Sequence, residues 1–161
     1  MVSTKEADER FMRKAIAIAK KGMKAGQTPF GSCLVKDGKV IAACHNTVWA
    51  SCDPSAHSEV NTIRESCRRL RTIDLSGCVI YSTTEPCPMC FSVCHWAKVR
   101  RIVYGDDIFD AQSAGFNELT LSNKRMKWGG GSPVEIVGGV LKKECKNLFR
   151  EWSARKDKKA Y

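Results

Sequence analysis

The sequence predicts an α/β protein, a three-layer α/β/α sandwich built around a mixed five-stranded sheet. Three observations predict it: an amphipathic helical pattern opens the chain, an apolar hairpin follows, and strand-like segments then alternate with helical ones. There is no internal repeat and no evident linker, and 161 residues is a length that one hydrophobic core commonly fills. We therefore expect a single domain spanning residues 1–161.

Two features of the first 45 residues support the opening helix and hairpin. Apolar residues recur at spacings of three and four between residues 5 and 24, and Gly26 and Pro29 then end the helix. Two short apolar segments flank Asp37-Gly38, a dipeptide typical of a two-residue hairpin turn. They predict antiparallel strands at residues 32–36 and 39–45.

The rest of the chain alternates between helical and strand-like patterns. After a loop at residues 51–55, Ser55 is a candidate N-cap for a helix from Ala56 to about Leu70. The later predicted elements are a strand at 78–82, a helix at 88–97, strands at 101–104 and 134–137, and a closing helix at 141–154. Residues 106–132 show no clear pattern and contain Gly129-Gly130-Gly131, which we expect to be flexible.

Composition limits the function classes. No apolar run approaches the roughly 18 residues that a membrane span needs, and the first residues are charged rather than apolar, so we expect a cytoplasmic protein with no membrane partner. The nine cysteines are an odd number and cannot all pair internally. In a reducing compartment they serve as small buried hydrophobes, metal ligands or nucleophiles. The net charge of +10 fits either a solvated basic surface or a nucleic-acid partner.

Two short motifs indicate a zinc site. His57-Ser58-Glu59 and Pro86-Cys87-Pro88-Met89-Cys90 each stand at the start of a predicted helix. The spacing of Cys87 and Cys90 lets both thiolates bind one tetrahedral zinc. With His57 they make three ligands, which leaves the fourth position of one zinc per chain for water or hydroxide. Glu59 would then move protons without binding the metal.

Two other interpretations of these motifs stay open. Cys94 or His95 could complete a closed structural zinc in a non-enzymatic binding module, although Glu59 would then have no role. A redox pair of Cys87 and Cys90 would leave the histidine motif unexplained.

The histidine motif followed by the cysteine motif is the signature of zinc nucleobase deaminases, and the sequence resembles the cytidine deaminase superfamily along nearly its whole length. Within it, the chain is most similar to the branch of bacterial guanine deaminases and related nucleoside deaminases. The segments that carry this resemblance are 28–31, 53–60, 85–90, 114–116, 149–152 and 157–161. Ser58 departs from the alanine that this family usually has after the histidine.

The resemblance implies several substrate contacts and a homodimer. Asn46 matches a family asparagine that hydrogen-bonds the substrate, and Phe30 and Trp96 match positions that line or stack on a flat base. Glu118 matches the second acid of a family pair, and Tyr161 belongs to a C-terminal tail that helps to close an active site, its own or the partner's. Each also has a structural interpretation: Asn46 as a turn cap, the two aromatic residues as core, and Tyr161 as a frayed end.

The implied activity is hydrolytic deamination of a nucleobase or nucleoside, with guanine converted to xanthine and ammonia. Guanine fits the acidic Glu118 because its ring edge offers adjacent N–H donors. A tRNA-specific adenosine deaminase is the main alternative, because residues 142–159 carry eight basic and three acidic residues that could contact RNA phosphates. A deaminase of cytosine or of another nucleoside is a further alternative.

Overall fold

The computed structural model describes residues 4–161 as one five-stranded sheet with helices on both faces. In chain order the elements are α1 (Thr4–Lys24), β1 (Gly31–Lys36), β2 (Lys39–His45), α2 (Val48–Ser51), α3 (Ser58–Leu70), β3 (Val79–Thr84), α4 (Pro88–Trp96), β4 (Arg101–Asp106), α5 (Ile108–Ser113), α6 (Asn123–Gly130), β5 (Glu135–Val137) and α7 (Lys142–Ser153).

The sheet is mixed, with the strand order β2-β1-β3-β4-β5. Strand β1 pairs antiparallel with β2 and β3, whereas β3, β4 and β5 run parallel and are joined by helical crossovers. One core cluster joins α1 and α7 to the sheet, and a second joins α3 and α4 to it. This arrangement confirms the predicted three-layer sandwich.

One edge of the sheet gathers the residues that matter for function. Because β1 is antiparallel to β3, the start of β1 lies beside the carboxyl ends of β3 and β4. Gly31 opens β1 where α1 packs directly against it: a Cβ there would collide with the carbonyl oxygen of Ala15. The absence of a side chain at Gly31 therefore allows α1 to pack closely against the start of β1, next to Phe30.

The helix predicted from Ala56 begins later, at Ser58, and its N-cap is His57, so the prediction that Ser55 caps it is wrong. Ser55 is held in a local turn, in which its backbone N–H and its hydroxyl both donate to Oδ1 of Asp53, at 2.8 and 2.7 Å. Because the hydroxyl is used as a donor to Asp53, it does not reach the first turn of α3.

The stretch without a clear pattern contains two helices, α5 and α6. A capping box between Asp107 and Asp110 starts α5, and Ser122 caps α6. The glycine run predicted to be flexible is ordered: it ends α6, and Gly131 takes the left-handed conformation that closes a helix. Within residues 4–161, no helix is long and apolar enough to cross a bilayer.

Candidate active site

Three metal-donor side chains converge at this edge of the sheet: His57, Cys87 and Cys90. His57 and Cys87 are the N-cap residues of α3 and α4, and neither side chain forms a standard capping hydrogen bond. Nδ1 of His57 lies 3.6 Å from Sγ of Cys87 and 3.5 Å from Sγ of Cys90. With Zn–N of about 2.0 Å and Zn–S of about 2.3 Å, the N···S edge of a tetrahedral site is about 3.5 Å. The donor set therefore fits zinc.

The electrostatics of the donor group favour a thiolate at Cys87. The hydrogen bond from the Cys90 thiol, with His57 adding to it, lowers the pKa of the Cys87 thiol to about 4. Burial opposes a charged His57, but the adjacent Cys87 thiolate raises the pKa of His57 overall. A thiolate, and not a thiol, is the species that ligates zinc.

Glu59 lies beside the donor group without belonging to it. The Ser82 hydroxyl donates to its Oε1 at 2.7 Å, and the Ser58 hydroxyl donates to its Oε2 at 3.0 Å. The carboxylate is buried, and Sγ of Cys90 lies 3.6 Å from Oε2. Oε1 accepts only the Ser82 hydroxyl and keeps a further lone pair, so Glu59 can accept a proton beside the metal donors.

A small closed cavity lies over the donors. It is lined by Phe30, His57, Glu59, Thr84, Glu85, Cys87, Glu118 and Tyr161. Burial, with a contribution from the negative Cys87, raises the pKa of Glu118 to about 7. Phe30 packs edge-on against Phe116 with ring centroids 4.8 Å apart, which holds one wall of the cavity.

Tyr161 closes this cavity within its own chain. Nδ2 of the buried Asn46 donates to the Tyr161 hydroxyl at 2.5 Å, while Oδ1 of Asn46 accepts the N–H of Val48 at 3.1 Å. The carbonyl oxygen of Tyr161 accepts the N–H of Asn117 at 2.9 Å. The cavity has a free volume of only about 10 Å³, enough for about one water molecule. This volume is too small for a purine, so the residues around the cavity must move for one to enter.

The chain matches the family described as the cytidine and deoxycytidylate deaminase zinc-binding region over residues 5–106. It belongs to the cytidine deaminase superfamily. Guanine deaminase from Bacillus subtilis is 41% identical over 111 residues, which cover 68% of this chain and 71% of the relative. The tRNA-specific adenosine deaminase from Bacillus subtilis is 38% identical over 157 residues, which cover 95% of this chain and 94% of that protein.

A solved structure of guanine deaminase from Nitrosomonas europaea superposes with a TM-score of 0.86 at 25% identity and covers 96% of this chain and 87% of its own. The chain is thus a zinc-dependent deaminase, and His57, Cys87 and Cys90 are positioned to bind its one zinc. Its similarity extends to deaminases of two substrate classes, a free base and a tRNA.

The residues considered as a fourth protein ligand lie outside the donor group of this deaminase. Cys94 is fully buried but does not belong to the cluster, and Nδ1 of His95 is 2.8 Å from the Ser132 hydroxyl. Within residues 4–161 the donor group has three members, the number that leaves one position open at a catalytic zinc. All nine cysteines are free thiols, and Cys52 is exposed.

The structure does not bring Trp96 to the deaminase pocket of its own chain. Trp96 is the last residue of α4, nine positions after Cys87 and about 13 Å further along at the rise of an α-helix. Its side chain is 81% exposed and lines a separate cleft beside Ser132 and Pro133. Within one chain, therefore, Trp96 does not line the cavity over the metal donors, contrary to the expectation from sequence.

Sequence reasoning assigned no role to three residues of this site: Ser82, Thr84 and Glu85. Ser82 binds Glu59, and Thr84 and Glu85 line the cavity. All three lie in the run between the buried start of β3 and Cys87. The sequence did offer one indication of them: polar residues follow the apolar start of β3 and lead directly to the cysteine motif.

Proposed function

We propose that this deaminase, acting as one domain spanning residues 1–161, converts guanine and water to xanthine and ammonia. The observation that carries the proposal is Glu118, a carboxyl group in the same closed cavity as Glu59 and the metal donors; the third carboxyl there, Glu85, is bound by backbone N–H groups. The edge of guanine offers a ring N–H beside an exocyclic amine, and one carboxylate can accept from both. The corresponding edges of adenine and cytosine lack this adjacent pair.

The lining residues supply the other contacts of a flat base. Phe30 offers an aromatic wall fixed by Phe116, and Asn46 offers an amide donor that now binds Tyr161. When guanine enters, we expect the Asn46 amide to exchange the Tyr161 hydroxyl for an acceptor on the purine. Tyr161 would then close over the bound base.

The proton transfers belong to Glu59. A zinc ion held by His57, Cys87 and Cys90 supplies Lewis acidity, which lowers the pKa of a water toward about 7. Glu59 accepts a proton from this attacking water while its carboxylate is held by the hydroxyls of Ser58 and Ser82. It passes this proton to a ring nitrogen and then transfers the remaining proton of the water to the amine, which leaves as ammonia.

The closed cavity favours a small substrate over a folded RNA. Besides Tyr161, the tail is attached at Lys159, whose carbonyl oxygen accepts the indole N–H of Trp49 at 3.0 Å. An anticodon loop would have to displace this whole segment, whereas a free base needs only a transient opening.

Deamination of adenosine in tRNA is the second candidate, supported by the match to a tRNA-specific adenosine deaminase over 94% of that protein's length. Of the net charge of +10, five charges lie in residues 142–159. Part of this charge is already neutralised within the chain, since Lys142 pairs with Asp107 and Lys146 with Asp110.

We also propose that two copies associate through the face that carries Trp96 and Trp128. These side chains are 81% and 88% exposed, and Ser132 lines the clefts beside both. Soluble chains seldom leave large contiguous apolar patches in water. Sedimentation velocity of a Trp96→Ser/Trp128→Ser variant should show monomers where the parent protein sediments as a dimer.

An ammonia-release screen of zinc-loaded protein tests the activity. The substrates are guanine, guanosine, adenine, cytosine, cytidine and a tRNA anticodon stem-loop, and we expect turnover of guanine. Glu59→Gln should abolish turnover with zinc content retained, which a non-enzymatic zinc module does not predict. Glu118→Gln should raise the KM for guanine. Turnover of the stem-loop alone would refute the guanine assignment.

A further inference from the structure

Glu85 is a buried carboxylate bound by two backbone N–H groups that are distant in sequence. Its Oε1 accepts the N–H of Asn123 at 2.8 Å, and its Oε2 accepts the N–H of Ile108 at 3.3 Å. Its side chain is only 5% exposed. Hydrogen bonds to an ionised acceptor are stronger than neutral ones, and two of them offset the unfavourable burial of this charge.

The two donors bracket the segment that carries Glu118. Ile108 is the first residue of α5 and Asn123 is the first residue of α6, so one carboxylate fixes both ends of the intervening chain. Nδ2 of Asn123 also donates to the carbonyl oxygen of Pro86 at 2.6 Å. A segment anchored at both ends samples fewer conformations than one anchored at a single end.

The same residue is connected to the metal donors. Glu85 precedes Cys87 by two positions, and its own backbone N–H donates to the carbonyl oxygen of Asp106 at 2.9 Å, where β4 ends. The turn that contains Cys87 and the segment that contains Glu118 are therefore both attached to the buried Glu85. In the middle of the segment, Phe116 also packs near Trp152 with ring centroids 5.0 Å apart, and the N–H of Asn117 donates to the carbonyl oxygen of Tyr161 at 2.9 Å.

We propose that Glu85 is the positioning residue for Glu118: it sets the place of the Glu118 carboxyl relative to the metal donors and thereby the affinity for guanine. This inference rests on the proposed function, in which Glu118 accepts the N–H pair of the base. Glutamate suits the position because both of its oxygens accept, whereas glutamine would turn an N–H₂ donor toward one of the two backbone N–H groups.

The first test is Glu85→Gln in the zinc-loaded protein. Losing one charge-assisted bond of two should raise the KM for guanine by roughly tenfold or more, with kcat changed by less than about threefold and one zinc per chain retained. Glu151→Gln removes an equal charge from an exposed pair with Lys20 and is the matched control. Glu85→Asp keeps the charge with a shorter reach and is assayed in parallel in case Glu85→Gln fails to fold.

A double-mutant cycle separates positioning from a general structural effect. If Glu85 acts through Glu118, the Glu85→Gln/Glu118→Gln protein should bind guanine no more weakly than Glu118→Gln alone. Additive effects on KM would overturn the inference. If Glu118→Gln by itself leaves the KM for guanine unchanged, the proposed function fails, and the next measurement still decides the role of Glu85.

That measurement is amide hydrogen exchange of residues 114–121, which needs no turnover. Glu85→Gln, or Glu85→Asp in its place, should speed exchange in this peptide by roughly tenfold, because one of its anchors is weakened. The peptide of α1 should be unaffected. Unchanged protection of residues 114–121 would overturn the inference.

Discussion

Asp106 is a buried carboxyl group that should make the stability of this protein fall as pH rises. It is the last residue of β4 and completely buried, and within residues 4–161 its side-chain oxygens have no well-formed hydrogen bond, although the nearby Thr84 hydroxyl partly opposes the rise in its pKa. Burial, with added repulsion from Asp110 and Asp107, raises the pKa of Asp106 to about 8. The protonated form is therefore the one that the folded protein favours at neutral pH.

The size of the effect follows from proton linkage. In the unfolded chain this carboxyl has an ordinary pKa of about 3.9. Between that value and about 8, the folded protein keeps a proton that the unfolded chain has released, so the free energy of unfolding falls by up to about 1.4 kcal/mol per pH unit. Relative to pH 4, the loss at pH 7 is on the order of 4 kcal/mol, and it stops growing above the folded pKa.

Asp106→Asn removes the titration while preserving shape. The variant should match the parent near pH 4 and exceed its free energy of unfolding by a margin that widens up to pH 8. Urea unfolding at several pH values between 4 and 9 measures this, with the exposed Asp157→Asn as control. The pH dependence of zinc binding is common to all three proteins and cancels in the differences. Parallel pH profiles for parent and Asp106→Asn would refute the reasoning.

Three further predictions concern other parts of the molecule. Cys87→Ser should lose zinc in metal analysis, whereas Cys94→Ser should keep one ion per chain; loss of zinc from both would contradict the three-donor site. Asp8→Ala removes the two hydrogen bonds that Asp8 accepts from Arg101 and leaves Arg101 only its 3.1 Å pair with Glu135, so it should lower the free energy of unfolding by about 1.5–3 kcal/mol in urea titrations; an unchanged midpoint would contradict this. Tyr161→Ala should speed guanine association in stopped-flow experiments, since the closing side chain is gone; an unchanged rate would show that Tyr161 does not limit entry.

The parts of the fold that local chemistry determines were predictable from sequence. Asp37-Gly38 predicts a two-residue turn because that turn needs two residues of positive φ, and both have it, at 49° and 72°. Ser55 shows the limit of local rules: it has the right residue type for an N-cap, but Asp53, two positions earlier, engages its hydroxyl instead. An N-cap propensity does not show whether the Ser55 hydroxyl binds Asp53 or the first turn of the helix.

The site residues also fall into those that the sequence could predict and those that it could not. His57, Cys87 and Cys90 are recognisable because metal geometry imposes a short spacing on the sequence. The role of Glu85 depends on partners 23 and 38 positions away, and no periodicity reports such contacts. Trp96 was misplaced because a match of sequence position does not report distance along a helix, and Trp96 ends α4 about 13 Å beyond Cys87.

The metal donors also have a consequence for folding. They join His57 to a cysteine 30 positions later, across the whole of α3 and β3. Bound zinc is in this sense a removable cross-link. In the chain-entropy model of cross-links, closing a loop of this length removes conformational entropy from the unfolded chain, which raises its free energy by about 3–4 kcal/mol. Supplying zinc during refolding should therefore increase the yield of native protein, and chelation should lower the temperature at which the two helix starts separate.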